Sequence, residues 1–254
     1  MNAPHRFADA LAQSAAQRPA ESLITAGWAV LDAATLAAMA GATEAELQAW
    51  RAFWDDLPPD PHLRDGGRYR RRRHGCFLAT MGMLDVVPVP HRAHWQPLEY
   101  NALHGGIERW FDPLPESLAS DPRWLRLLRS LAEVADTLRG PNTWAIEAHP
   151  FRIDTTDGIG RPTPEGAHRD GVDLVVVILV ARHNIKGGET RVFEADGPHG
   201  VRFTLSEPFG ALLLDDAHVI HETTPIQPVD PEAHGWRDTL VLTFRRNGFQ
   251  GPQA

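Results

Sequence analysis

The sequence predicts a mainly β protein with flanking helices, built as a sandwich or jelly roll. Three observations carry that expectation. After Gly140 the chain divides into short segments, at 143–153, 172–181, 189–194, 201–205, 211–214, 218–226 and 238–245, each bounded by turn residues such as Gly187-Gly188 or Pro208-Phe209-Gly210. Strands of this length with regular turns suit a sandwich or jelly roll. Residues 174–180 are apolar at every position, so this strand is expected to bury both of its faces. Finally, one strongly amphipathic helix precedes the strands, with an apolar stripe suited to covering a sheet.

The other elements follow in order. Residues 27–31 read as a strand closed by Asp32, and 33–40 and 43–54 as two helices rich in Ala and Leu. Leu57-Pro58-Pro59-Asp60-Pro61 cannot continue a helix and marks a seam. This places a helical extension at 1–65, packed on a core at 66–254. From Gly67 the pattern turns to strands, at 68–80 and at 83–89. The amphipathic helix opens at Asp121-Pro122, an N-cap followed by a proline at the first helical position, and stops at Gly140. Its stripe is Trp124, Leu127, Leu128, Leu131, Val134 and Leu138.

Composition bounds the function. The chain has 254 residues, 43% hydrophobic and 23% charged, with a formal net charge of −8. That charge argues against a nucleic acid or an anionic membrane as the main partner. A single cysteine, Cys76, rules out an intrachain disulfide and suits a reducing compartment. Arg6, Asp9, Arg18 and Glu21 interrupt the first thirty residues, and no apolar run reaches the roughly 18 residues of a membrane span. A cytoplasmic, soluble protein is expected.

The chemistry is carried by Pro164-Glu165-Gly166-Ala167-His168-Arg169-Asp170-Gly171, which runs into the apolar strand. On an extended segment, residues two apart point the same way, so His168 and Asp170 can share one metal ion. A second histidine must come from a neighbouring segment, and His221 lies 51 residues beyond Asp170. Two histidines and one carboxylate form the facial triad of non-haem Fe(II) oxygenases. His218 competes for the third position, but three residues before His221 it faces the opposite side of a regular strand.

Further motifs occur in order: Asn184-Ile185-Lys186-Gly187-Gly188-Glu189-Thr190, His221-Glu222-Thr223-Thr224-Pro225-Ile226, and Arg237-Asp238-Thr239-Leu240-Val241-Leu242-Thr243-Phe244. With the His168 segment they resemble the bacterial 2-oxoglutarate/Fe(II)-dependent dioxygenases. That family includes free L-amino-acid hydroxylases of the isoleucine 4-hydroxylase type and the BsmA proteins of biofilm and stress responses. The resemblance covers roughly residues 66–246. It implies a double-stranded β-helix (jelly-roll, cupin-like) core, Fe(II), 2-oxoglutarate and O2 as cofactors, and His168, Asp170 and His221 as metal ligands. Arg237 is then the cation for the distal carboxylate of 2-oxoglutarate, since a guanidinium fork matches a carboxylate bidentately. Arg245 and Arg246, about 25 Å along the same strand, lie too far away. Thr190, beside Glu189 and a glycine turn, is expected to steady a ligand.

The implied activity is hydroxylation of a free L-amino acid or similar small carboxylate, with release of succinate and CO2. The alternatives are hydroxylation of a peptide or protein side chain, or a non-catalytic metal-binding jelly roll. Substrate contacts are expected among Arg70, Gln96, Tyr100, Asn101, His149 and Arg152. Pro150, inside the segment of the last two, suggests an edge strand or bulge. In the basic run Arg68-Tyr69-Arg70-Arg71-Arg72-Arg73, most arginines read as a solvated edge strand.

Overall fold

The structure, a computed structural model, describes residues 7–15, 19–80 and 85–252. Its helices are α1 (Phe7–Ala15), α2 (Pro19–Ala26), α3 (Ala33–Ala40), α4 (Glu44–Ala49), α5 (Glu116–Ala119) and α6 (Pro122–Arg139). Its strands are β1 (Trp28–Leu31), β2 (Arg70–Arg72), β3 (Gly75–Ala79), β4 (Val86–Pro88), β5 (Trp144–Asp154), β6 (Leu174–His183), β7 (Ile185–Gly187), β8 (Thr190–Glu194), β9 (Gly200–Phe203), β10 (Ala211–Asp215), β11 (Val219–Thr223), β12 (Ile226–Pro228) and β13 (Trp236–Arg245).

Local chemistry explains the boundaries. Asp32 caps α3 by accepting the Thr35 N–H, and Gly41 ends it in a left-handed conformation. Thr43 and Glu46 form a reciprocal capping box on α4. The helix expected over 43–54 tightens into a 3-10 turn at Trp50–Trp54, where the Trp54 indole N–H reaches the carbonyls of Phe151 and Thr239. α6 starts on the Asp121 side chain and ends at Gly140, as the sequence predicts. Of the strand expected at 83–89, residues 83 and 84 lie outside the described residues, and the remainder contains β4.

The main sheet is antiparallel in the order β1-β10-β6-β13-β5-β3-β4, with β2 also pairing to β5. A smaller sheet, β11-β8-β9, packs on one of its faces. β6 shows how the two layers are specified. Leu174, Val176, Ile178 and Val180 enter the core beneath α3, α4 and α6, whereas Val175 and Leu179 meet Val192, Phe203 and Val219 of the small sheet. A strand apolar at every position thus serves two cores. On β5, Trp144, Ile146 and Ala148 join the helix-side core, which turns Glu147, His149, Phe151 and Ile153 to the opposite, concave face.

Two expectations need correction. β5 is an interior strand, not an edge: Pro150 faces the gap between β3, which pairs residues 144–148, and β2, which pairs 151–153, so no ladder donor is lost there. The arginine run is not uniformly solvated either. Arg70 and Arg72 are buried and Tyr69 is 2% exposed, while Arg68 and Arg71 face outward.

Candidate active site

The concave face of the main sheet encloses a cavity between β5, β13, the 160–172 loop and an irregular segment over 91–111. That last segment is folded back on itself by paired backbone hydrogen bonds between His94 and Arg109, both 2.9 Å. Gly105 permits the turn, since a Cβ there would lie 2.4 Å from the Asn101 carbonyl oxygen. It delivers His94, Gln96, Asn101 and Arg109 into the cavity.

At one end, His168 and His221 form an isolated antiparallel bridge, with backbone N···O distances of 3.0 and 3.1 Å. Their ring centroids are 4.7 Å apart. Asp170 Oδ1 is 3.8 Å from His168 Nε2, and its Oδ2 is 3.9 Å from His221 Nε2. Ligand atoms from all three residues lie within 4.8 Å of one another. The spacing leaves room for an ion at the centre.

Surrounding groups hold the three side chains. His168 Nδ1–H donates to the Gly166 carbonyl at 2.9 Å, which leaves the Nε2 lone pair facing the cluster. Gln96 Nε2 donates to Asp170 Oδ1 at 3.1 Å. Asp216 accepts the backbone N–H groups of Asp170, Gly171 and Val172, fixing the loop that carries the carboxylate. Burial, and then the charge of Asp170, push the Asp216 carboxyl up to about 7. Burial foremost, with the charge of His168, draws His221 down to about 4, so its ring is the neutral form a metal requires. His218 stands apart, with its side chain 63% exposed and bonded through Nδ1 to Asp215 at 2.8 Å.

Arg237, at the start of β13, is 3% exposed and lines the same cavity. Its Nε and Nη2 have no hydrogen-bond partner. Burial, followed by the charge of Arg182, lowers it to about 10. A buried guanidinium with unmet donors marks a place built for an anion, because leaving such groups unpaired is costly. The converging histidine and aspartate atoms, with this anion-seeking arginine in the same cavity, fit iron and 2-oxoglutarate together.

The remaining candidates divide. Arg70, Gln96, Asn101 and His149 line the cavity. Arg152 does not: three residues from His149, it lies on the opposite face of β5 and makes a bidentate pair with Asp238 at 2.8 Å. Tyr100 is outside the lining and packs over Gly171, where its ring occupies the space of a Cβ. Thr190 is also outside the lining, with a buried hydroxyl that has no partner.

Several residues escape the sequence reading. Arg72 lies between Phe111 and Phe151, its guanidinium carbon 3.8 and 4.3 Å from the ring centres. Arg109 is 2% exposed and donates to Gln96 at 2.7 Å. Glu147 sits among His74, His94 and His149. The one available signal was that Glu147 and His149 share the odd-numbered face of 143–153 with Phe151 and Ile153. Cys76 is buried, and burial pushes its thiol well above the usual range, so it is no nucleophile.

No match was found among curated proteins. Among solved structures, a BsmA homologue from Methylobium petroleophilum PM1 is 52% identical over 100% of this chain and 98% of its own, with a TM-score of 0.87. IDO from Bacillus thuringiensis is similar at 17% identity over 90% and 94%, TM-score 0.73. The Fe(II)/α-ketoglutarate-dependent dioxygenase TqaL is similar at 20% identity over 94% and 89%, TM-score 0.70. The architecture is accordingly a double-stranded β-helix with flanking helices. The family model described as 2OG-Fe dioxygenase matches residues 51–243, most of the chain. The chain therefore belongs to the 2OG-Fe dioxygenase family, non-haem iron enzymes that use Fe(II), 2-oxoglutarate and O2.

Proposed function

We propose that the protein hydroxylates a free L-amino acid or a similar small carboxylate, with 2-oxoglutarate converted to succinate and CO2. The observation that carries this reading is one cavity lined by arginines from separate segments: Arg237 on β13, Arg72 on β2 at the far side of β5, and Arg109 from the 91–111 segment. Arg237 is thus free to take one carboxylate while Arg72 and Arg109 take a second.

In this reading His168 Nε2, Asp170 and His221 Nε2 hold the iron. Arg237 takes the distal carboxylate of 2-oxoglutarate. Bound iron and 2-oxoglutarate supply the dioxygen chemistry that inserts oxygen into a C–H bond. The chain supplies position and shielding. Gln96 and Asp216 keep the Asp170 carboxylate and its loop in one geometry. Val172, Val177, Val241 and Phe151 give the intervening wall an apolar surface that excludes water. Arg72 and Arg109 hold the substrate carboxylate, each with a buried Nε lacking a partner.

Anaerobic addition of Fe(II) and 2-oxoglutarate is expected to give a visible charge-transfer band. His168→Ala abolishes it and His218→Ala leaves it intact, because His218 faces solvent. A band lost equally in both variants refutes the ligand assignment. Succinate release over the twenty free L-amino acids then reads the substrate class. No stimulation by any of them refutes the free-amino-acid reading.

A further inference from the structure

A second cluster of titratable groups lines the cavity away from the triad. The Glu147 side chain is 11% exposed, and its Oε1 accepts N–H bonds from His74 Nε2 at 2.9 Å and His94 Nδ1 at 3.1 Å. Its other oxygen, Oε2, has no hydrogen bond and stays accessible within the cavity. Among the described residues no arginine pairs with this carboxylate: Arg70 is taken by Asp60 at 2.6 Å, Arg72 by His149 at 2.6 Å and Arg109 by Gln96. Burial lowers the pKa of both histidines, His94 to about 4, so neither carries a charge at neutral pH. Burial opposes ionisation of Glu147, but the N–H bonds that it accepts from His74 and His94 favour the carboxylate form. The result is a buried carboxylate with an open oxygen and no cation bonded to it among the described residues, an arrangement that favours the arrival of a counter-charge.

A metal ion is the first cation to weigh, since His74, His94, Glu147 and His149 offer ligand atoms within 4.8 Å of one another. Ring geometry argues against it. His74 and His149 are stacked, with centroids 4.8 Å apart and planes within 9°, and the in-plane lone pairs of parallel rings do not meet at one ion. His149 Nδ1 already accepts from Arg72, and the nearest nitrogens of His74 and His94 both donate to Glu147. An ammonium group needs none of these lone pairs. It brings its own N–H donors to Oε2.

We propose that Glu147 Oε2 receives the ammonium group of the substrate, with Arg72 and Arg109 on its carboxylate, so that the pocket selects a zwitterionic α-amino acid over the corresponding plain carboxylic acid. This rests on the hydroxylase reading above and assigns the part of it that distinguishes an amine. Glu165 is the rival acceptor, with an unpartnered Oε2 of its own. Its Oε1, however, is 3.5 Å from His168 Nε2, which places it beside the triad, where a bound metal would supply its counter-charge.

The test uses the amino acid that most stimulates succinate release and its desamino analogue, the acid with the same carbon skeleton. Glu147→Gln lowers kcat/KM for the amino acid by at least about 30-fold and leaves the analogue within about threefold, as expected for loss of one buried charge pair. The Fe(II)–2-oxoglutarate band, which reports an intact fold, stays unchanged. Glu147→Asp gives a smaller loss in the same direction and serves if the glutamine variant fails to fold. Unaltered discrimination in Glu147→Gln overturns the proposal, as does collapse of discrimination in Glu165→Gln instead. A second equivalent of bound iron or zinc, lost in Glu147→Gln, also overturns it. If no amino acid stimulates turnover, the hydroxylase reading itself fails before Glu147 is tested, and the proposal falls with it.

Discussion

Arg237→Met separates a ligand-binding arginine from a structural one. The guanidinium is 3% exposed and two of its nitrogens bond nothing, so the unliganded protein gains little from the charge. An unmet buried donor costs about 1–3 kcal/mol. Methionine is similarly long and apolar, and it removes that penalty without opening a large cavity. Stability without 2-oxoglutarate is therefore expected to hold or rise. With 2-oxoglutarate the balance reverses, because the distal carboxylate loses a buried, charge-assisted partner worth about 2–5 kcal/mol. That corresponds to a roughly 30- to 5,000-fold weaker dissociation constant. Anaerobic titration of 2-oxoglutarate into the Fe(II) protein reads the affinity through the visible band, and urea unfolding reads the stability. A change in affinity below about threefold refutes the role assigned to Arg237. A stability loss above about 1 kcal/mol in the unliganded variant refutes the reasoning from unmet donors.

Two further outcomes follow from the fold. Burial holds His94 and His104 at about 4 against an ordinary 6.5. Between those values the unfolded chain binds more protons, so stability is full above pH 6.5 and is lost as pH falls toward 4, with His94 contributing on the order of 3 kcal/mol. Urea midpoints at pH 7.5 and 5 measure this. His94→Gln flattens the difference, and an unchanged slope refutes the assignment. Gly187 has φ 81°, and a Cβ there would lie 2.2 Å from the Pro225 carbonyl oxygen, so Gly187→Ala lowers the unfolding free energy by about 3 kcal/mol. Gly158→Ala, at the same φ with open space around it, serves as the control and costs about 1 kcal/mol. Equal losses in the two variants show that the carbonyl contact contributes nothing.

Much of this architecture is local and was legible in the chain. The cap and stop of α6, the doubly buried β6 and the pairing potential of His168 with Asp170 each depend on residues a few positions apart. The His221 side chain faces Asp170 from β11, whereas His218 faces solvent because it lies in the turn before that strand, which the expected continuous strand over 218–226 did not foresee. Arg152 shows the cost of ignoring strand alternation, for no regular strand sends both His149 and Arg152 to one face.

What alternation cannot supply is the identity of the opposite wall. Glu147 and His149 share a face with Phe151 and Ile153, a mixed pattern that does not say in sequence whether the face meets water or another wall. Only the return of 91–111, pinned by His94 and Arg109 and turned at Gly105, closes that face into a cavity. The same closure changes Arg70 and Arg72 from apparent surface charges into buried groups. The sequence alone determined α6, the doubly buried β6 and the residue types of the candidate metal site. The tertiary structure decided which polar face is dry, because burial depends on contacts between segments far apart in the chain, and periodicity does not encode those contacts.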